Sequence, residues 1–198
     1  MINPFIMRKL QKLIDQVAQA RNNFIATASG LTPSQASFKP SPDVWSVTDN
    51  VEHMVWAEQG GVNGMWKAML AMKNNTPVWQ GEAIHHGLPI EVIIEKTWQP
   101  KEQVPEIAKP RWGGPLAYWV ASLQACQYVL EALARAMQGL NPEQIIHLHP
   151  ISGPLNVYQR LEFLRFHLER HQGQIENIKK HPGFPPPDLD KMSSFAKR

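Results

Sequence analysis

The sequence predicts an all-α fold, a four-helix bundle with one long crossover connection and short accessory helices. Three observations carry that prediction. Four segments of about 25 residues place apolar side chains at alternating steps of three and four, the period of a helix with one buried face. No segment shows a convincing strand pattern. Residues 76–112 form a long interruption holding Pro77, Gly81, Gly87, Pro89, Pro100, Pro105 and Pro110, and a connection of that length in a helical bundle is usually functional or a crossover.

The first helix is expected from Pro4 to Ala28, with Ile6, Leu10, Leu13, Val17, Ala20 and Phe24 on its stripe and Gly30 as its stop. Thr32-Pro33-Ser34-Gln35 then combines an N-cap, a proline at the first helical position and a capping-box glutamine, which opens one short helix. Ser46 and Asp49 form a second capping box, so the second long helix follows Trp45 and runs to Lys73 before Asn74-Asn75-Thr76-Pro77. Within the connection, Pro89 to Lys96 reads as a short helix. Pro115 opens the third long helix, whose stripe is Leu116, Trp119, Val120, Leu123, Leu130, Leu133 and Met137, and Gly139 closes it. Asn141-Pro142-Glu143-Gln144 signals another short helix. Gly153-Pro154 is expected to start the fourth, ending near Lys180 at His181-Pro182-Gly183. The bundle domain is therefore 1–182, and 183–198, with Pro185-Pro186-Pro187, is expected to be a flexible tail.

Composition narrows the function classes. At 198 residues and 43% apolar content the chain fits one globular domain. No apolar run nears the roughly 20 residues of a membrane-spanning helix, and residues 1–13 lack a signal-peptide core, so the expected location is cytoplasmic and no membrane partner is expected. The single cysteine, Cys126, excludes an internal disulfide and, in mid-helix, reads as a small buried hydrophobe. A net charge of +3, without a basic stripe interleaved with aromatics, gives no specific nucleic-acid partner.

His167 and His171 carry the chemistry. Four residues apart on one helix, they project from the same face one turn apart and can share a divalent metal ion. Leu168 stands where the helical metalloprotease motif has its glutamate, which removes that mechanism. Their stripe continues through Arg160, Leu164, Gln174 and Ile178, and imidazoles on a core-directed face need hydrogen-bond partners or a metal. His53 is the candidate third ligand. It lies opposite the apolar face Val51, Val55, Val62, Met65 and Met69, at the start of a small-residue stripe of Ala57, Gly60, Gly64, Ala68 and Ala71. Such a stripe leaves room for a pocket or a closely packed helix, including one across a homodimer. Three neutral imidazoles suit Zn, Ni or Fe and leave positions open for water.

Two motifs resemble a known family. Trp45-Ser46-Val47-Thr48-Asp49-Asn50-Val51-Glu52-His53 is similar to the Trp-(Ser/Thr)-x-x-(Glu/Asp)-x-x-x-His opening of the second helix in DinB/YfiT-like proteins. His167-Leu168-Glu169-Arg170-His171-Gln172-Gly173-Gln174-Ile175 is similar to their His-x-x-x-His-x-x-Gln-Ile fourth helix, and His149 to Leu155 to the loop before it. With the helix order, the resemblance spans about residues 5–180. It implies a DinB-type four-helix bundle with a three-His metal centre at His53, His167 and His171. It also implies a metal-dependent hydrolase, or a thiol-dependent S-transferase or isomerase using bacillithiol, mycothiol or glutathione, acting on a small-molecule substrate. The chain departs most from the family in residues 76–112, where specificity is expected to reside.

Other residues have plainer readings. Gln174 is expected to pack or to support a ligand, Glu52 and Glu169 to be surface charges, and Arg170 to pair with a carboxylate. His147 and His149, with His85 and His86 below them in rank, are candidates for covering a metal or shuttling a proton. Trp66 and Trp119 fit the core, while Trp79, Trp98 and Trp112 are candidates for a pocket or an oligomer interface. The alternative to an enzyme is a noncatalytic bundle that binds a metal or small molecule, or a dimeric interaction module.

Overall fold

A computed structural model describes residues 4–98 and 103–187. The elements are α1 (Pro4–Ala28), α2 (Pro33–Ser37), α3 (Val47–Lys73), α4 (Ile90–Thr97), a 3₁₀ turn (Glu106–Ala108), α5 (Leu116–Ala136), β1 (Ile146–His149), β2 (Gly153–Asn156) and α6 (Val157–Lys179). The four long helices form a closed ring in which α1 packs on α6, α6 on α3, α3 on α5, and α5 back on α1. No helix among the described residues is long and apolar enough to cross a membrane.

The expected stripes fill the interior. Leu10, Ile14 and Phe24 of α1 meet Met54, Met65 and Met69 of α3 and Trp119, Leu123 and Leu130 of α5, all essentially inaccessible to water. Each such side chain contributes roughly 1.5–3 kcal/mol by leaving water. One polar cluster crosses this core: Arg21 of α1 pairs with Glu58 of α3 and donates to Gln127 of α5. Both capping boxes form as the sequence implies. Ser46 Oγ accepts from the Asp49 amide at 3.1 Å while Asp49 accepts from the Ser46 amide at 2.9 Å. That reciprocal pair sets where α3 starts, and so where the residues of its second turn point.

Three expectations change. Residues 153–156 are not the first turn of α6 but strand β2, paired antiparallel with β1 in a hairpin that registers His149 against Gly153. The helix starts later because Asn156 supplies its own capping box with Gln159, bonded in both directions at 3.0 and 3.1 Å. Residues 141–144 make turns and no helix, with the Val157 amide donating to the Pro142 carbonyl at 3.2 Å. The expected tail also begins packed: Phe184 meets Phe38 edge-on at 5.7 Å, and Gln35 donates to the Pro185 carbonyl at 2.9 Å. Residues 188–198 of that tail lie outside the described residues.

The long connection wraps the open side of the α3–α6 pair. Its α4 helix carries Ile90 and Ile93 onto Leu155 and Phe163, a satellite core separate from the bundle interior. His85 ties the connection to the hairpin, donating from Nε2 to the Ser152 carbonyl at 2.8 Å. Gln159 of α6 holds the same stretch through the carbonyls of His85 and Leu88, at 2.7 and 3.1 Å. The connection thus becomes one wall of a cavity, with α3, α6 and the hairpin as the others.

Candidate metal centre

His53, His167 and His171 come together at the inner end of that cavity, all three buried. His167 Nε2 lies 3.2 Å from His53 Nε2 and 3.1 Å from His171 Nε2. Hydrogen bonds on the far side of two rings fix their tautomers. His53 Nδ1 donates to the Ala108 carbonyl at 2.8 Å, and His171 Nδ1 donates to Asn50 Oδ1 at 2.9 Å. The Asn50 amide is itself oriented, because its Nδ2 donates to the Ser46 carbonyl at 2.8 Å. Both rings therefore turn an unprotonated Nε2 toward His167. Partners of this kind, behind the ligating nitrogen, orient metal-binding histidines generally.

Burial keeps the cluster neutral. It pushes His53 down to about 4 despite the Ala108 carbonyl, which favours the charged ring. Burial, then the neighbouring histidines, hold His167 well below the ordinary value; burial, then His53 and Arg170, do the same for His171. Neutral imidazoles are the form a metal requires. The donor set fits a divalent ion: three donors at about 2.0–2.1 Å and tetrahedral angles stand about 3.3–3.4 Å apart, close to the separations seen here.

Aromatic rings enclose the cluster. Trp45, just before the Ser46 cap, stacks on His171 with centroids 6.1 Å apart and tilts over His53 at 4.9 Å. Trp98, from the connection, meets His167 edge-on at 6.0 Å. The cavity of about 860 Å³ in front of them is lined by Trp45, Trp56, Trp98 and Phe163 together with polar groups from the hairpin and α6. That volume suits a small organic molecule.

Glu52 is not the surface charge that its sequence position suggested. It is fully buried and accepts from the amides of Arg111 at 2.7 Å, Trp112 at 2.8 Å and Gly113 at 2.8 Å, and from the Trp56 indole at 3.1 Å. Burial alone would raise its pKa, but the Arg111 and Trp112 amides, the Trp56 indole and the Gly113 amide outweigh it and hold the carboxyl below its usual value. The carboxylate clamps residues 111–113, directly after the turn that offers the Ala108 carbonyl to His53. Arg170 also differs from expectation. It lies 5.8 Å over the Trp98 ring at the cavity wall, and no ion pair among the described residues includes it. Glu169 is exposed and pairs with Arg165 at 2.7 Å, as expected of a surface charge.

The remaining candidates separate cleanly. His147 and His149 both line the cavity from β1; His85 is a structural tie and His86 is exposed. Trp98 lines the cavity, Trp112 packs edge-on against Trp56 at 4.7 Å, and Trp79 lies away from it, donating to the Glu82 carbonyl. Cys126 is buried, and burial followed by the nearby Glu58 charge pushes its thiol up to about 12, so it is no nucleophile. Of the small stripe of α3, Ala57 and Gly60 line the pocket, with Gly61 beside them, while Ala68 packs in the bundle core. Gln174 lines the pocket beside His171.

His149 carries a pH prediction. Its Nδ1 accepts from the amides of Ile151 at 3.2 Å and Ser152 at 3.0 Å, and burial, then Arg160 and His147, push it down to about 2. The unfolded ring titrates near 6.5, so below that pH the unfolded chain binds the extra proton and the folded one does not. Stability present at neutral pH is therefore lost as pH falls from about 6.5, by up to about 1.4 kcal/mol per pH unit for each such histidine. Melting temperature should hold between pH 7.5 and about 6.5, then fall steadily to pH 5, and less steeply in His149→Gln. A flat profile would mean that the ring takes up its proton in the folded state.

Comparison with protein families matches residues 16–175, well over half of the chain, to the DinB superfamily. The chain belongs to the DinB superfamily. The same comparison made against curated proteins and against solved structures gives no match. The buried three-His group and the family are compatible with a metal-binding protein.

Proposed function

We propose that this DinB-type bundle is a divalent-metal-dependent enzyme that transfers a low-molecular-weight thiol to a small electrophile held in the cavity. His53, His167 and His171 hold the metal. Once bound, a divalent ion lowers the pKa of a thiol or water set against it and neutralises the anion that results. The observation that carries the reading is the pairing of a neutral three-imidazole set with an aromatic-walled cavity that contains no internal carboxylate. Asp43, exposed, is the one carboxylate among the described lining residues, since Glu52 is consumed by its clamp. Hydrolysis of the protease type needs a carboxylate base beside the ligands, whereas a thiol is acidic enough to ionise at a cation without one.

The protein's own residues do the rest. Asn50 and the Ala108 carbonyl keep two ligand nitrogens aimed at one point, and Trp45 and Trp98 exclude water around them. In the transfer the thiol sulfur forms a bond to carbon, the leaving group departs with the electron pair of its own bond, and the thiol proton passes to solvent.

The test reconstitutes the purified chain with Zn²⁺, Ni²⁺ or Fe²⁺ and measures bound metal. Turnover is then followed with glutathione, mycothiol and bacillithiol against small electrophiles, and with ester and amide substrates in the absence of thiol. Metal-dependent thiol consumption is expected. A chain that takes up no divalent metal sinks the reading, and metal without turnover assigns the bundle to binding alone.

A further inference from the structure

Arg160 is a buried cation with nothing to neutralise it among the described residues. It stands on α6 two turns before His167, about 10 Å along the helix axis, and lines the same cavity. It is 3% exposed, yet its Nε and Nη1 have no hydrogen-bond partner among the described residues, and no ion pair there includes it. Burial lowers it only to about 10, so it stays charged at neutral pH. A charge taken out of water without a partner costs several kcal/mol, and proteins rarely carry one without use.

The surroundings are shaped to keep it there. A Cβ on Gly61 would lie 2.5 Å from Arg160 Nη2, and one on Gly64, a turn further along α3, would collide with the His147 ring. Two glycines thus let a guanidinium and an imidazole press against bare helix backbone on one wall. The Phe163 ring, 5.3 Å from the guanidinium carbon, covers another side. With Arg160 Nε and Nη1, His147 Nδ1 is the third buried polar atom at this end of the cavity without a partner among the described residues.

From this geometry we infer that Arg160, with His147 beside it, binds the carboxylate of an organic acid whose other end faces the three histidines. The fork of an arginine matches a carboxylate in two parallel hydrogen bonds. Of the other titratable groups lining the cavity, His147 is held near 4 by burial and by the Arg160 and Lys67 charges, and His149 near 2. Arg170 and Asp43 are exposed at the rim. One fixed positive charge inside favours a monoanion over a phosphate dianion. Only the placement of the acid's far end rests on the proposed function; the anion site does not.

Isothermal titration of the full chain, metal-loaded and metal-stripped, with acetate, butyrate and 4-phenylbutyrate, each beside its amide, and with inorganic phosphate, tests the inference. At least one acid should bind wild type about tenfold or more tighter than its amide, in both metal states, and tighter than phosphate. Arg160→Gln should lose that preference and Arg160→Lys keep part of it. Thermal melts of Arg160→Met guard against misfolding, and its melting temperature should equal or exceed that of wild type, since a charge without a partner is being removed. A marked fall would make Arg160 a structural partner and overturn the inference. So would equal affinity for acid and amide, a preference for phosphate, binding of none of the three acids, or an acid preference that survives in Arg160→Gln. An acid preference lost on metal stripping or in His53→Ala, but kept in Arg160→Gln, places the acid on the metal; that overturns the inference and leaves the proposed function standing. An Arg160-dependent preference in a chain that binds no metal does the reverse.

Discussion

Replacing His167 with alanine is expected to abolish stoichiometric divalent-metal binding. His167 Nε2 is the nitrogen that lies within 3.2 Å of both other ligand nitrogens, so its loss leaves His53 and His171 facing a gap. His53→Ala and His171→Ala should act in the same direction. Asn50→Ala is the graded case, because it removes only the acceptor that aims His171, and such losses weaken metal binding about 10–100-fold. Metal content after dialysis reads the first effect and competition with a chelating dye the second. A thermal melt adds an independent readout, since a ligand that binds only the folded state raises melting temperature by an amount that grows with the logarithm of its concentration over its dissociation constant. Retention of one equivalent of metal by His167→Ala would remove this residue from the site.

Glu52→Ala should be the most damaging single change outside the histidines, costing about 3–5 kcal/mol. The carboxylate accepts from three consecutive backbone amides and an indole, and alanine replaces none of those bonds. Its second effect is on the metal. Residues 111–113 follow closely on Ala108, and once they are released the carbonyl that holds His53 Nδ1 is no longer fixed. Urea unfolding should therefore show the stability loss, and metal titration a weakened site, in the same protein. Glu52→Gln preserves shape but turns an N–H toward the amides, so it should fall between wild type and alanine. A loss below about 1 kcal/mol, with metal affinity unchanged, would mean that the clamp supports neither the fold nor the site.

Much of the bundle was legible because helices announce themselves locally. The Ser46–Asp49 box marks where α3 begins, and 3.6-residue phase then puts Asn50, His53 and Ala57 on one face and Val51 and Val55 on another. The same phase aligned Arg160, Leu164, His167 and His171 on α6. Glu52 was misread because its partners are main-chain amides some 60 residues later, which leave no mark on side-chain pattern. The hairpin was missed for a related reason. Its four-residue strands are too short to show alternation, and Gly153-Pro154 resembles a helix start when the capping box at Asn156 goes unnoticed. Arg160 appeared on the right stripe, but a charge without a partner is visible only once all of its neighbours are in place.

Within the connection between α4 and α5, residues 108–113 act on the histidines through their main chain: one carbonyl at Ala108 and three amides at Arg111, Trp112 and Gly113. The side chains of those six residues are free of that duty. Such a segment can change its residue identities extensively while keeping its path, apart from proline at the three donor positions. Inserting or deleting one residue there would shift the register of carbonyl and amides together. The metal site is thus guarded against drift in composition and exposed to drift in length.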